Sequence, residues 1–173
     1  MAVPTLHTKQ LVLRQLEVSD AADLHGVFAD PAAMEYWSHG PHADRAKTEA
    51  VVGRNAISSD TLACWAITVD GDAALGWINL RVKREGVAEV GFILARAWWG
   101  KGVGREALAA VVAHGFDTMD LRRIVADTDP DNAASVALLH SMGFTLEGHL
   151  RGEWETHIGV RDSLIFGLLA DEW

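Results

Sequence analysis

Hydrophobic and polar residues alternate along this chain with two different periods, and the order of those periods predicts a mixed α/β fold. Residues 11–16 alternate with the period of two that is typical of a half-buried strand. Ser19 and Asp20 can cap a helix that ends near Phe28, and a second helix is predicted over about residues 43–57. The first third of the chain is therefore expected to hold one strand and two helices.

Three strand-like runs follow, at residues 63–69, 74–82 and 87–95. Asp70-Gly71 separates the first two runs and Glu85-Gly86 separates the last two, and such pairs are typical of tight hairpin turns. Because strands joined by tight turns pair antiparallel, we expect a three-stranded antiparallel meander in the middle of the chain.

The second half of the chain predicts helix, strand, helix and two further strands. These elements are expected over about residues 103–119, 123–127, 129–142, 144–150 and 160–168. Asp129-Pro130-Asp131-Asn132 is typical of a helix start, and Gly143 is typical of a helix end. No internal repeat, linker or low-complexity segment interrupts the pattern, which predicts one domain over residues 1–173.

Composition mainly excludes classes of protein. The chain of 173 residues has 49% hydrophobic and 23% charged residues, as a folded domain does, and no run of about 20 apolar residues that would predict a membrane span. The first residues lack the apolar run of a signal peptide, and Cys64 is the single cysteine, which fits a reducing, cytoplasmic location. A net charge of −9 argues against a nucleic-acid partner and favours a neutral or cationic one.

The most informative stretch is WWGKGVGREAL, residues 98–108, in which three alternating glycines separate a predicted strand from a predicted helix. The first turn of a helix has unpaired N–H groups and a partial positive charge, and glycines let a phosphate approach them closely. Residues 95–105 include three basic residues and no acidic one, in an otherwise acidic chain. The stretch therefore predicts an anion site for a phosphate group.

Three other interpretations of this loop differ in what the glycines do. A Walker-type P-loop is excluded, because Lys101 is followed by glycine where that motif needs Ser or Thr. A dinucleotide-binding fingerprint fits residues 102–107, with Asp127 placed to bind a ribose, but the chain is too short for the repeated βαβ units. A loop that only connects strand and helix also stays open, although three glycines in five positions would make a costly connection.

The sequence also carries a family resemblance. Residues 87–94, VAEVGFIL, together with the WWGKGVGREAL stretch resemble the acetyl-CoA-binding segment of the GNAT N-acetyltransferases, in particular their RimJ/RimL-like branch. Further similar patterns are the opening Thr8, Leu11, Leu13 and Arg14, the Asn132, Ser135, Leu138 and Gly143-Phe144 helix, and the closing Arg161-Asp162 and Glu172-Trp173. The resemblance covers nearly the whole chain. It implies the GNAT fold, a mostly antiparallel central sheet of about seven strands flanked by helices.

The resemblance implies where the cofactor acetyl-CoA binds. The backbone of Phe92, Ile93 and Leu94 would hydrogen-bond the pantetheine arm as an added strand would, and Asn132 would contact the pantetheine or cysteamine part. Backbone N–H groups of the glycine loop would hold the pyrophosphate, namely those of Gly100, Lys101, Gly102, Val103, Gly104 and Arg105. Trp99 departs from the family, since many relatives have Gln or Arg there, and we expect altered packing beside the cofactor with the loop fold retained.

The resemblance further implies that an amine attacks the acetyl thioester directly. The amine must lose its proton, the carbonyl oxygen needs donors, and the departing thiolate needs a proton or a hydrogen bond. Glu89 matches a glutamate that many relatives carry and is the candidate base, although a solvent-facing strand carboxylate would give the same sequence. Many relatives have a tyrosine where this chain has Leu139. Ser135 matches a serine proposed as the thiolate partner in RimL-like members, but a solvated or capping serine would also fit.

The candidate acceptor-binding residues are aromatic or histidine side chains outside the cofactor motif, namely Trp37, His39, Trp77 and His157. An aromatic wall suits a peptide end or an ammonium group, whereas a position on an inner strand favours a core role for Trp77. His39 and His42 lie three residues apart, but no third ligand is evident, so no metal is expected.

These observations together predict an acetyl-CoA-dependent N-acetyltransferase that acts on a primary amine, with the N-terminal α-amine of a peptide or protein, such as a ribosomal protein, as the leading acceptor. A small amine (polyamine, amino acid or antibiotic) remains open as the acceptor. A non-catalytic acyl-CoA-binding module on the same fold also remains open, because the tyrosine is missing at position 139. By analogy with the fold, a homodimer is possible.

Overall fold

The computed structural model describes residues 3–173, which form one sheet of eight strands with helices on both faces. The strands are β1 (Leu6–His7), β2 (Val12–Gln15), β3 (Leu62–Thr68), β4 (Gly76–Arg84), β5 (Val87–Leu94), β6 (Arg123–Thr128), β7 (Thr145–Thr156) and β8 (Gly159–Leu169). The helices are α1 (Ala21–Phe28), α2 (Pro31–Met34), α3 (Arg45–Ala56), α4 (Val103–Asp117) and α5 (Ala133–Ser141). Within this part of the chain, no helix is long and apolar enough to cross a membrane.

The strand order is β1-β2-β3-β4-β5-β6-β8-β7, and every neighbouring pair is antiparallel except β5 and β6. The predicted mixed fold, with a mostly antiparallel sheet and a β3–β4–β5 meander, is confirmed. The dinucleotide-binding alternative is wrong, because that fold needs a mostly parallel sheet.

Two short elements were not predicted from the sequence. Strand β1 has two residues and pairs with β2, which raises the strand number from the expected seven to eight. Helix α2 has four residues and begins at the predicted Asp30-Pro31 break, where the Asp30 side chain accepts a hydrogen bond from the Ala32 N–H at 3.0 Å. Elements this short have too few residues to show a hydrophobic period.

The sheet separates two hydrophobic clusters. On β5, Ala88, Val90 and Leu94 belong to the cluster that includes residues of α4 and α5, whereas Ile93 belongs to the cluster that includes residues of α1 and α3. Since successive strand residues face opposite sides of a sheet, Glu89 lies on the same face as Ile93. We call this face, covered by α1 and α3, the acceptor face.

The feature that positions the site is the parting of β5 and β6. The two parallel strands pair only at Val87–Arg123, Ala88–Ile124 and Glu89–Val125. Beyond Glu89, β5 continues to Leu94 along β4, and β6 continues to Thr128 along β8. A gap therefore opens in the middle of the sheet, at the carboxyl ends of its two parallel strands.

Candidate active site

The gap leads into a cleft of about 770 Å³, within the size range of small-molecule sites. Its walls are the second half of β5, the glycine loop before α4, the end of β6 and the start of α5. On the acceptor face the wall is completed by residues 32, 33 and 35–38 and by Trp154, Thr156, Arg161 and Asp162 from the β7–β8 hairpin. Most sequence motifs therefore meet around one cavity.

The edge of β5 exposes peptide groups to the gap at alternate residues. Ala95 N–H donates to the Leu75 carbonyl on the β4 side at 2.7 Å, and antiparallel alternation then directs the peptide groups of Ile93 toward its β4 partner as well. The peptide groups of Phe92 and Leu94 face the gap instead. The predicted backbone hydrogen bonds from Phe92 and Leu94 to the pantetheine arm are compatible with this geometry. The same prediction for Ile93 is wrong, because its N–H and C=O groups point toward β4.

Trp99 closes the end of this edge. Its indole Nε1–H donates to the Leu94 carbonyl at 2.8 Å, while its side chain stays 45% exposed. The adjacent Trp98 has the Lys101 ammonium 5.2 Å from its ring centroid. Trp99 thus ties the glycine loop to the strand before it, and the Leu94 carbonyl has a partner within the protein.

The glycine loop presents a row of free donors. Gly100 and Gly102 have φ of +68° and +79°, a left-handed conformation that other residues rarely adopt. Helix α4 begins directly after Gly102. The first backbone N–H after the turn with a partner is that of Glu106, which donates to the Gly102 carbonyl at 3.0 Å. In the described part of the chain, the N–H groups of residues 100–105 have no hydrogen-bond acceptor. These donors at a helix N-terminus fit a pyrophosphate group.

The start of α5 supplies two polar groups to the cleft. The Asn132 side-chain oxygen caps the helix by accepting from the Ser135 N–H at 3.2 Å, which leaves the Asn132 amide nitrogen for a ligand. The Ser135 hydroxyl is half-buried, lines the cleft and has no partner within residues 3–173. The capping role that the sequence left open for Ser135 therefore belongs to Asn132. Leu139, at the position of the family's tyrosine, is buried in the core and lines the cleft with an apolar side chain.

Glu89 lies where β5 and β6 begin to part. Its carboxylate is 3.1 Å from the Lys83 ammonium, and its side chain is 35% exposed. It lines the cleft on the acceptor face, so its carboxylate can reach a group that enters the gap from that side.

Of the four predicted acceptor-binding residues, Trp37 lines the cleft. Trp77 is only 2% exposed and packs behind Trp37, with ring centroids 6.4 Å apart, so its prediction as an acceptor contact is wrong and its core alternative is correct. His39 stacks on His42 at 5.0 Å, also away from the cleft surface. His157 lies at the tip of the β7–β8 hairpin, where its ring packs on Gly40. The four residues are neighbours, but the structure places only one of them at the cavity wall.

The buried His42 packs against His39, which belongs to this group of aromatic and histidine side chains. Its Nδ1 lies 2.8 Å from the Thr48 hydroxyl, which is also 2.9 Å from His25 Nδ1, and its ring stacks on Phe28. Burial, together with the nearby His39, lowers the pKa of His42 from 6.5 to about 4. The ring is therefore neutral near pH 7, and protonating it works against the fold.

Sequence reasoning did not select several residues that line the cleft. Tyr36 follows α2, and burial and the neighbouring Glu35 raise its pKa. Asp127, which the sequence suggests only as a ribose ligand, accepts hydrogen bonds from Trp154 Nε1 at 3.0 Å and from the Ser163 hydroxyl. The only sequence signal for Asp127 is its place at the end of a predicted strand. Its partners come from the two C-terminal strands and have no fixed spacing from it.

Comparisons with known proteins agree with the fold and with the cofactor site expected in the cleft. The family described as Acetyltransferase (GNAT) domain matches residues 10–145. The uncharacterized N-acetyltransferase p20 of Bacillus licheniformis is 32% identical over 174 aligned residues, which cover 98% of each chain. The chain belongs to the GNAT acetyltransferase family. This GNAT enzyme is therefore an acetyl-CoA-dependent N-acetyltransferase, as the sequence predicted, and the alternative of a non-catalytic module is not favoured.

Two further similar proteins are named for the acceptors on which they act. The crystal structure of spermidine N-acetyltransferase from Vibrio cholerae in complex with CoA and spermine has a TM-score of 0.82, 23% identity, and coverage of 95% of this chain and 98% of that one. The [ribosomal protein uS5]-alanine N-acetyltransferase of Escherichia coli is 33% identical over 75 residues, which cover 40% of this chain and 39% of that protein. The first shows a shared fold and the second a shared segment. The RimJ/RimL-like branch and the homodimer stay predictions.

Proposed function

We propose that this GNAT enzyme acetylates the N-terminal α-amine of a peptide or protein. The observation that carries a cationic acceptor is the charge of the cleft. Six carboxylates line it, those of Glu35, Glu89, Asp127, Asp129, Asp131 and Asp162. Three of the six are in ion pairs, Glu89 with Lys83 and both Asp129 and Asp131 with the single Arg161, while Glu35 is exposed at the rim. Two cationic partners against six carboxylates leave the cleft net negative, which suits an ammonium group. We place that ammonium on an α-amine because the chain shares a segment with the [ribosomal protein uS5]-alanine N-acetyltransferase of Escherichia coli.

The groups assigned to acetyl-CoA binding are hydrogen-bonding groups that have no partner within the described part of the protein. Bound acetyl-CoA supplies the acetyl thioester that the amine attacks. The N–H groups of residues 100–105 hold its pyrophosphate, the peptide groups of Phe92 extend the open edge of β5 to its pantetheine arm, and the Asn132 amide nitrogen donates to the same arm. These assignments use groups that have no partner within the described chain.

The chemical roles follow from position on the two faces. Glu89, on the acceptor face, takes the proton from the amine at its carboxylate. Ser135 Oγ, on the opposite wall at the start of α5, donates a hydrogen bond to the thiolate sulfur as it departs. A serine hydroxyl is a weak acid, so Ser135 stabilises the thiolate without having to give up its proton.

The test is release of free thiol from acetyl-CoA with three acceptors, namely a peptide with one α-amine and one lysine, the same peptide blocked at its N-terminus, and spermidine. We expect turnover with the free peptide, with the acetyl group located on the α-amine by mass spectrometry, and none with the blocked peptide. A larger kcat/KM for spermidine than for the peptide, or acetylation of the lysine, would contradict the peptide proposal and favour a small-amine acceptor.

A further inference from the structure

Asp127 lies at the part of β6 that borders the gap. Glu89 and Val125 are the last paired residues of β5 and β6, and Asp127 follows two residues later on the same face as Val125. At the usual rise of a strand, its Cα is about 7 Å further along the gap than the end of the pairing. Its side chain is exposed and lines the cleft. Asp127 and Glu89 therefore face the same space from opposite sides of the opening.

The Asp127 carboxylate is held in place by neutral donors. Its Oδ2 accepts from the Trp154 indole N–H at 3.0 Å, and its Oδ1 accepts from the hydroxyl of the fully buried Ser163. Neither donor carries a charge, so the negative charge of Asp127 is fixed in position but not compensated. Each carboxylate oxygen keeps a lone pair for another donor.

The other carboxylates around the cleft differ in this respect. Glu89 pairs with Lys83, and Asp129 and Asp131 share Arg161, whereas Asp162 contacts the imidazole of His149, which carries a charge only when protonated. Arg161 also lowers the pKa of Asp129. Glu35 has no ion pair in the described chain, but it lies on the rim after α2. Of the two carboxylates that flank the gap between β5 and β6, Glu89 has a cationic partner, and Asp127 has none in the described part of the chain.

The β7–β8 hairpin is shaped so that Trp154 reaches Asp127. The register of β7 against β8 shifts between Leu150 and Trp154, and Gly152 in this bulge has φ of +60°. Asp162 fixes the bulge, since it accepts the Gly152 N–H at 2.8 Å and contacts His149 at 2.7 Å. The bulge re-aims the strand, so that Trp154 lies 49% exposed at the cleft with its N–H on Asp127.

We propose that Asp127 is the acceptor-binding carboxylate of this enzyme, which holds the primary amine of the acceptor in its ammonium form at the gap between β5 and β6. The inference rests on the proposed function only in that the acceptor is a cationic primary amine. The ammonium donates a charge-assisted hydrogen bond to the free lone pairs of Asp127. The indole ring of Trp154 forms the wall beside it. Asp127 takes no proton in this scheme, because Glu89 on the other side of the opening is the base.

The test compares Asp127→Asn with Asp131→Asn. Asparagine can keep the local geometry, since its oxygen accepts from Trp154 and its amide nitrogen donates to Ser163, so the charge is the main change. Losing a charged hydrogen bond should raise the acceptor KM about thirtyfold in Asp127→Asn. The KM for acetyl-CoA and the melting temperature should stay at their parent values. Asp131→Asn removes an equal charge from the same cleft but leaves Arg161 paired with Asp129, and should change the acceptor KM less than about threefold.

A binding measurement separates this inference from the choice of acceptor. The free peptide and spermidine are each titrated into the CoA complex of the parent protein and of Asp127→Asn by calorimetry. Loss of binding for whichever amine the parent binds supports the role of Asp127, even if that amine is spermidine and the peptide proposal fails. Equal affinity of the parent and the variant for that amine, or an unchanged acceptor KM, overturns the role of Asp127 and leaves the peptide proposal standing.

Discussion

Replacing Gly102 by aspartate should separate the backbone role of the glycine loop from its role as an anion site. Gly102 has φ of +79°, and a Cβ built on it meets no atom within 4 Å. A Cβ at this position therefore meets no steric clash. The left-handed backbone conformation should lower the stability of a substituted protein by about 1 kcal/mol. Asparagine and aspartate tolerate this conformation best and differ in charge alone. Gly102→Asn is thus the matched control for Gly102→Asp.

The expected loss of affinity follows from Coulomb's law. A carboxylate at position 102 would lie roughly 5 Å from an anion bound to the neighbouring N–H groups. With an effective dielectric constant of about 40, each pair of unit charges repels by about 1.7 kcal/mol. Two negative charges on a pyrophosphate give about 3 kcal/mol, which salt reduces toward about 2 kcal/mol, or about thirtyfold in Kd. Gly102→Asn should bind CoA within about threefold of the parent.

Isothermal calorimetry with CoA at two salt concentrations measures this difference, and thermal unfolding checks that both variants fold. Gly159→Asp is a second control, because Gly159 has φ of +102° and no neighbour within 4 Å but lies at the β7–β8 turn. It should leave the Kd for CoA unchanged. Equal CoA affinities of Gly102→Asp and Gly102→Asn, or a difference that does not shrink with salt, would refute the assignment of the loop as a pyrophosphate site.

Three further substitutions test other parts of the molecule. Glu89→Gln should depress the turnover rate and change the pH–rate profile, with the greatest loss at low pH; a profile parallel to that of the parent would remove Glu89 as the base. Trp99→Phe keeps an aromatic side chain but removes the donor to the Leu94 carbonyl, and should lower the free energy of unfolding in urea by about 1 kcal/mol. An unchanged value would mean that this hydrogen bond does not stabilise the loop. His42 has a pKa of about 4 in the fold against 6.5 unfolded, so its contribution is complete above pH 6.5 and falls by about 1.4 kcal/mol per pH unit down to pH 4. His42→Phe should flatten the stability curve over that range, and a curve as steep as that of the parent would assign the effect to other groups.

The glycine loop is the part of the candidate site that was easiest to predict from sequence. The strand, the glycines and the helix start are contiguous, and their chemistry depends on backbone N–H groups that any folded version of this segment would expose. The helix-start pattern at Asn132 is equally local, since its cap reaches only to Ser135. Local signals of this kind survive without knowledge of the tertiary fold.

Burial and strand pairing decided the cases in which the prediction from sequence failed. Trp77 and Trp37 are both tryptophans near the acceptor face, yet Trp77 lies under the sheet surface and Trp37 lies at the cavity. Ile93 sits between Phe92 and Leu94 in a run of similar apolar residues, and only the pairing of β5 with β4 turns its peptide groups away from the gap. No property of these residues taken singly carries that information.

Only the fold explains the Thr8 and Arg14 pattern near the start of the chain. The Thr8 hydroxyl and the Gln10 backbone both donate to the Glu106 carboxylate in the first turn of α4, 98 and 96 residues away in sequence. These contacts lower the pKa of Glu106 and fasten the N-terminal strands to the helix that bears the glycine loop. Arg14 is likewise held by Asp20 at 2.7 Å.

The sequence by itself determined the order of the longer elements, the family and the position of the glycine loop, because hydrophobic period, turn residues and helix caps act over a few neighbouring residues. The tertiary structure alone decided where the sheet opens, and which carboxylates keep an uncompensated charge. Asp127 meets Trp154 and Ser163 across 27 and 36 residues of chain, through strand register and a bulge. Such a contact depends on how distant strands align, which no local pattern specifies.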